Sequence, residues 1–150
     1  MIEILHSHGL SVLRNRSIPI KQGGSRIWLC GLDSIWEGNP DMDHALHEVP
    51  SEQLVVLLVH EPDFADEAAY HPVDLQLSGH SHGGQIWRPG IGAPWLPTLA
   101  KSYPRGLYRI GPLTLYTNVG LGTIRLPIRL NCPPEVTLFT LRSAESRPTS

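Results

Sequence analysis

The sequence predicts an α/β protein, a layered sandwich that mixes parallel and antiparallel strands. Two observations lead to this class. Strand and helix patterns alternate in the first half of the chain, and a hairpin and a further strand follow in the second. The run LVVLLV at 54–59 is continuously aliphatic, which is typical of a strand buried on both faces. A length of 150 residues with 41% apolar residues suits one domain with a modest core.

The first half of the chain predicts one helix, three strands and a second helix. IEILHSHG at 2–9 has apolar residues at helical spacing and ends at a glycine. LSVLRN at 10–15 and SIPI at 17–20 favour short strands, and RIWLCGLD at 26–33 favours another after a Gly-Gly turn. PDMDHALHEV at 40–49 has acids in its first turn and predicts a short helix.

The second half of the chain predicts buried strands separated by a helix, followed by loops rich in proline and glycine. In order, these elements are a strand at 54–59, a helix at 61–70, a strand at 73–78, a hairpin at 106–118 and a last strand at 135–142. We expect residues 1–142 to form one unit. We expect residues 143–150, SAESRPTS, to be a disordered tail.

Charge and composition argue against several classes of partner. The net charge is -2 and no long run has one sign, so we predict no binding of nucleic acid or of an anionic membrane. No apolar run approaches the roughly 20 residues of a membrane span, and the first ten residues lack a signal-peptide core. The chain therefore reads as soluble. Cys30 and Cys132 are isolated, and we expect two buried thiols rather than a disulfide.

The segment GHSHGGQ at 79–85 allows three interpretations. It could be a solvated glycine-rich turn, because glycines make tight turns without any ligand. It also matches the G-x-S-x-G pattern of a serine nucleophile, but that mechanism requires a histidine later in the chain. All eight histidines lie in the first 82 residues, so none follows His82. The third interpretation is metal binding.

Metal binding is the interpretation that the strand order favours. His60 ends one buried strand, while His80 and His82 follow the next, and open α/β sheets place their sites at such strand ends. Neutral imidazole is a common ligand of borderline transition metals. By contrast, His44 and His47 fit a solvated helix face. Three acids near these positions more plausibly support the site or face solvent than bind metal: Asp33, Glu61 and Asp63.

The motifs LLVHEPD and VDLQLSGHSHGGQIWRPG resemble the last two metal-binding motifs of the calcineurin-like metallophosphoesterases. They are most similar to the bacterial branch whose final motif reads LSGH[TS]HGGQ, and RIWLCGLD, NVGLG and PPEVTLFTLR agree with that frame. The resemblance implies an α/β/β/α sandwich with mixed sheets and two divalent ions, zinc, manganese or iron. His60 and His80 would bind one ion and His82 the other, and a phosphomonoester or phosphodiester would be hydrolysed.

The resemblance also implies that part of the domain is absent. Family members carry D-x-H, G-D and G-N-H-D motifs in their first half, and this chain has none of them. Residues 1–142 then correspond to a C-terminal portion that we expect to be inactive alone, without catalytic residues of its own, and completed by an N-terminal half. A longer parent could be membrane-associated or exported. The alternative function is a non-catalytic module that binds metal or docks onto a partner.

Several loop residues near the predicted site remain candidates for supporting roles. Arg88, Arg125 and Arg129 could meet a phosphate, although structural salt bridges are the safer expectation. By analogy with the family, Asn118 and the turn at 120–122 are expected to pass near the metals. Two tryptophans that flank the motif, Trp87 and Trp95, would suit an apolar rim for a lipid-like or nucleotide substrate.

Overall fold

The computed structural model describes residues 2–142 and contains one six-stranded mixed sheet. The elements are α1 Ile2–Ser7, β1 Arg16–Gln22, β2 Ser25–Gly31, α2 Met42–Leu46, β3 Leu54–Leu58, α3 Ala65–Ala68, β4 Leu75–Ser78, β5 Gly106–Ile110 and β6 Leu113–Thr117. Short 3₁₀ turns precede α3 at Pro62–Phe64 and follow β4 at His82–Gly84. The predicted α/β class is confirmed. The predicted tail at 143–150 lies outside the described residues.

The strands are ordered β1-β2-β3-β4-β6-β5 across the sheet. The four central strands run parallel, and β1 and β5 add to the two edges in antiparallel pairs. The predicted hairpin is present, with β5 and β6 joined at Gly111 and Pro112. Because β3, β4 and β6 are parallel neighbours, their carboxyl ends meet at one edge of the sheet.

One face of the sheet carries the hydrophobic core. Leu57, Leu113 and Leu115 are fully buried there, and α2 and α3 pack over them. Helix α2 begins where Asp41 accepts a hydrogen bond from the His44 N–H at 2.9 Å, which satisfies a free donor of the first turn. The remaining core includes Trp28, Cys30, Met42, Ala45, Val55, Val59, Ala65, Ala68 and Val73.

The opposite face of the sheet is apolar and partly exposed. Ile20, Leu54 and Leu58 are 42%, 38% and 37% exposed, because no second layer lies over them within residues 2–142. A groove of about 470 Å³ runs along this face and reaches His60. The expectation that the strand at 54–59 is buried on both faces is therefore wrong for its two leucines on this side.

Two predicted strands, 10–15 and 135–142, are absent from the sheet. Leu13 crosses the backbone of Gly31 so closely that a Cβ at Gly31 would lie 2.7 Å from the Leu13 carbonyl oxygen. In the second segment Glu135 and Thr137 are half-buried, whereas Val136 and Leu138 are 82% and 91% exposed. Exposure alternates from 135 to 138 as it does in a strand, but no strand pairs with this backbone among the described residues.

The two cysteines are free and buried, as predicted. Cys30 is 0% exposed, and burial raises the pKa of its thiol to about 11. Cys132 is 1% exposed and lies under the motif that contains His82. Among residues 2–142, no helix combines the length and hydropathy that a membrane crossing requires.

Candidate functional site

His60 and His80 meet at the edge of the sheet where β3 and β4 end. The Gly79 N–H donates to the His60 carbonyl at 3.0 Å, which ties the two strand ends together. The His60 and His80 rings are 5.0 Å apart between centroids and meet edge to face. Desolvation, followed by the nearby His80, holds the pKa of His60 below its ordinary value. His60 is therefore a neutral imidazole at neutral pH.

The motif after β4 coils into a left-handed path. His80, His82 and Gln85 have φ of 60°, 48° and 60°, values that residues other than glycine adopt at some cost in strain. Non-glycine residues in this region cluster at functional sites. The Ser81 side chain is 1% exposed and accepts a hydrogen bond from the Gly83 N–H at 3.0 Å. Its hydroxyl therefore closes the turn and does not present an exposed nucleophile.

Gly83 lets the motif pack onto the loop at 119–132. Its φ is 58°, and a Cβ there would lie 2.5 Å from Cys132 Sγ and 2.8 Å from Val119 Cγ1. The Cys132 thiol also donates to the His82 carbonyl at 3.4 Å. The loop therefore lies directly against the backbone of the second motif histidine.

A backbone carbonyl accepts a hydrogen bond from one ring nitrogen of each motif histidine. His80 Nε2 lies 2.8 Å from the Thr98 carbonyl, and His82 Nδ1 lies 3.3 Å from the Gly122 carbonyl. A carbonyl only accepts hydrogen bonds, so each of these nitrogens carries the proton. The neutral rings then have their lone pairs on opposite nitrogens, Nδ1 of His80 and Nε2 of His82. Such lone pairs are what a metal ion requires of an imidazole.

The three nearby carboxylates are all occupied by other contacts. Asp33 accepts from Arg14 at 2.6 Å, and this pairing lowers the pKa of Asp33 to about 2. Glu61 is buried and accepts from Ser34 Oγ at 2.8 Å and from the Ile35 N–H at 3.2 Å. Although burial alone would raise the pKa of Glu61, these hydrogen bonds hold it below the ordinary value.

Asp63 likewise binds backbone N–H groups of the loop at 101–103. Over residues 2–142, no group of three or more histidine, cysteine or acidic side chains is arranged to hold an ion. By their chemistry the imidazoles suit the nitrogen-donor part of a transition-metal site, although the three rings are not gathered around one point. The carboxylate part is not present in the described residues.

The three candidate arginines do not form the expected salt bridges among the described residues. Arg125 lies over Trp95 at 5.8 Å, while Arg129 donates to carbonyl oxygens of the loop at 119–132. The turn at 120–122 does reach the site, because its Gly122 carbonyl contacts His82. His44 and His47 are exposed on and beside α2, as predicted.

Charge is distributed unevenly along the chain, although the net charge of -2 does not show this. Residues 75–134 contain six lysines and arginines and no aspartate or glutamate. This region includes the motif, the hairpin and both loops that contact the motif histidines. A count of charges by segment, rather than over the whole chain, is the sequence signal that would have revealed the basic stretch that carries the motif.

Comparison with known proteins finds relatives whose names are metallophosphoesterase or phosphodiesterase. It is 42% identical over 141 residues to the uncharacterized metallophosphoesterase YkuE of Bacillus subtilis, and the match covers 93% of the chain and 49% of that protein. It is 37% identical over 139 residues to the phosphodiesterase YaeI of Escherichia coli, covering 93% of the chain and 50% of that protein. An uncharacterized metallophosphoesterase of Helicobacter pylori is 32% identical, covering 94% of the chain and 38% of that protein.

No family model and no solved structure gives a significant match. The chain spans about half the length of the first two relatives. The identity nevertheless extends over most of the chain and across relatives that share one kind of name, and the six-stranded mixed sheet is consistent with part of such a domain. These relatives support assignment of the chain to the calcineurin-like metallophosphoesterase superfamily.

Proposed function

We propose that the chain is the C-terminal portion of a metal-dependent phosphoesterase in which His60, His80 and His82 are metal ligands. The observation that supports this most directly is that the two motif rings contact carbonyls through opposite nitrogens, which leaves lone pairs at His80 Nδ1 and His82 Nε2. His60 meets His80 at the same sheet edge and is neutral. His82 follows His80 by two residues on the same turn, and binding an ion through all three rings would require them to move closer together.

The chemistry of the site would combine these ligands with two divalent ions. Divalent ions, zinc, manganese or iron, are implied by the family; zinc and iron suit imidazole donors, whereas manganese favours oxygen ligands. When bound, such ions supply Lewis acidity toward the phosphoryl group of a phosphomonoester or phosphodiester. His60 and His80 would hold one ion and His82 the other. The tight turn at Gly83 keeps the His82 backbone fixed against Cys132 while the ring binds.

The remaining ligands would come from an N-terminal half that completes the domain. Two cations close together need carboxylates to neutralise them, and the nearby Asp33, Glu61 and Asp63 are engaged elsewhere. The relatives are about twice as long as the matched region. The half-exposed sheet face would suit a second sheet, as would the segments at 10–15 and 135–142, which pair with no strand within residues 2–142. We therefore expect no turnover by the chain alone.

A chimera tests this proposal. The part of Bacillus subtilis YkuE that precedes its matched region is fused ahead of this chain, and hydrolysis of bis-p-nitrophenyl phosphate and p-nitrophenyl phosphate is measured with manganese, zinc or iron. We expect turnover by the chimera and none by the 150-residue chain. Replacing His60, His80 or His82 by alanine should abolish it, while His44→Ala on exposed α2 should not. Full activity in all three histidine variants would refute the proposal.

A non-catalytic module is the second candidate, and the occupied carboxylates favour it. It predicts that the chain unfolds cooperatively as a monomer, binds no more than one metal, and gives an inactive chimera. Elemental analysis and sedimentation of the purified chain distinguish the two. Aggregation or marginal stability of the chain, relieved in an active chimera, would favour the phosphoesterase fragment.

A further inference from the structure

Asp63, in the 3₁₀ turn that follows β3, holds the loop that contacts His80. The Asp63 carboxylate accepts three backbone hydrogen bonds, from Lys101 at 2.8 Å, Ser102 at 3.1 Å and Tyr103 at 3.2 Å. Its own N–H donates to the Leu99 carbonyl at 3.0 Å. The loop at 99–103 is therefore fixed to Asp63, which lies three positions after His60.

The Thr98 carbonyl, which accepts from His80 Nε2, immediately precedes the part of the loop that Asp63 holds. Ala100 within this loop is fully buried, so the loop packs as well as hydrogen-bonds. A carboxylate that accepts several backbone N–H groups makes charge-assisted hydrogen bonds, which are stronger than neutral ones. Asp63 thus controls where the Thr98 oxygen lies.

The loop that contacts His82 is held in the same way by Arg129. One terminal nitrogen of its guanidinium donates to the carbonyls of Val119 at 2.8 Å, Gly120 at 3.1 Å and Gly122. The other donates to the Cys132 carbonyl at 3.1 Å. Arg129 is half-buried, whereas every other residue from 121 to 130 is exposed.

The Gly122 oxygen thus accepts from both Arg129 and His82 Nδ1. A carbonyl has two lone pairs, so it can serve both donors at once. The outer part of the loop has a separate attachment, because Gln85 Nε2 donates to the carbonyls of Leu126 at 3.1 Å and Ile128 at 3.2 Å. Removing the guanidinium should therefore release the inner turn at 120–122 without freeing the whole loop.

We propose that Asp63 and Arg129 are positioning residues that fix opposite tautomers of the two motif histidines, Asp63 through the Thr98 carbonyl to His80 and Arg129 through the Gly122 carbonyl to His82. Their relevance to metal binding rests on the proposed function. Neither residue needs to touch metal or substrate. Each places a carbonyl that keeps the proton on one ring nitrogen, which leaves the other nitrogen free for a ligand bond.

Nitrogen NMR of the metal-free chain tests the proposal. Long-range ¹H–¹⁵N spectra of histidine-labelled protein report which ring nitrogen carries the proton, and His80→Gln and His82→Gln variants assign the signals. We expect a proton at Nε2 of His80 and at Nδ1 of His82. Asp63→Asn should give mixed tautomers at His80 and leave His82 unchanged. Arg129→Met should do the reverse, so each variant is the control for the other.

The affinity for zinc is measured by competition with a chromophoric chelator, and each variant is expected to bind about 10- to 100-fold more weakly. Arg129→Lys keeps the positive charge with fewer hydrogen-bond donors. We expect a larger fraction of His82 protonated at Nδ1 in this variant than in Arg129→Met. It is also the milder variant if Arg129→Met does not fold. Unchanged tautomers, or equal disturbance of both histidines by either variant, would overturn the proposal. Selective tautomer changes without any zinc binding would support positioning while contradicting the proposed function.

Discussion

Leu57 and Leu58 are adjacent on β3, yet Leu57 is fully buried and Leu58 is 37% exposed. The two side chains point to opposite faces of the sheet, as alternation in a strand requires. Leu57 packs under the helices, and Leu58 lines the groove on the other face. The two faces of one strand thus have different environments in this chain.

We expect Leu57→Ala to lower the free energy of unfolding by about 2–5 kcal/mol, because it removes buried contacts and leaves a cavity. Leu58→Ala should cost about 1 kcal/mol or less, because its side chain is already partly hydrated. Urea denaturation followed by circular dichroism measures both. Equal losses in the two variants would show that the second face is covered in the chain alone.

The same leucine should behave differently when the N-terminal half is present. If a second sheet covers the groove in the chimera, Leu58 becomes buried and its replacement by alanine should cost about 2–5 kcal/mol there. The comparison is the unfolding free energy of Leu58→Ala in the chain and in the chimera. Exposed Leu138, at 91%, offers a second position for the same test. No increase at either position would argue against a second layer on this face.

Glu61 should contribute stability that depends on pH. Its folded pKa is lowered, so the contribution is present above the ordinary carboxyl pKa of 4.5 and is lost as the pH falls through the folded value. At pH 7 we expect Glu61→Gln to cost about 1–3 kcal/mol, because hydrogen bonds from Ser34 and Ile35 to a buried charge are lost. The difference from the unchanged chain should shrink below the ordinary pKa. Glu48→Gln, at an exposed position, is the control for loss of a carboxylate and should cost less than about 0.5 kcal/mol at pH 7.

Gly83→Ala should disturb the contact between the motif and the loop at 119–132. The new Cβ would collide with Cys132 Sγ and Val119, and φ of 58° is unfavourable for alanine. We expect a loss of about 1–3 kcal/mol of stability and weaker zinc binding. Gly90→Ala is a matched control, because Gly90 has φ of 76° but nothing within 4 Å of its Cβ position.

Adding Cys132→Ala to Gly83→Ala should recover part of the loss, because it removes the nearest atom. The measurements are thermal unfolding and zinc competition on the single and double variants. If Gly83→Ala and Gly90→Ala destabilise the chain equally, backbone strain rather than the collision with Cys132 explains the effect.

The sheet could be predicted because its signals are local. Aliphatic runs and a two-residue hairpin turn specified β3, β4, β5 and β6, and parallel order then brought His60 and His80 to one edge. The segment at 135–142 shows the limit of this reasoning. Its alternating pattern predicts a strand, but whether such a segment becomes a strand depends on a partner that the local sequence does not specify.

The support of the motif histidines could not be predicted for a related reason. Thr98 and Gly122 contribute backbone carbonyls from irregular loops, and every residue type has a carbonyl. In the sequence Arg129 looks like an ordinary surface cation. Its half-buried position depends on the path of an irregular loop, which no sequence periodicity predicts. Residue type and position were enough to predict the histidines as candidate ligands. Their connection to Asp63 and Arg129 is visible only in the folded backbone.

The segregation of charge has a kinetic consequence. The region at 75–134 has a formal charge of +6 from its six basic residues and no acids, although the whole chain is at -2. We therefore expect this segment to attract anions that diffuse toward the histidine edge, against the opposing charges of Asp33, Glu61 and Asp63 nearby. Such steering accelerates encounter rather than tightening the final complex, and it weakens as salt shortens the Debye length to about 10 Å at 0.1 M. Anionic ligands should reach this edge of the molecule faster than neutral ones of the same size.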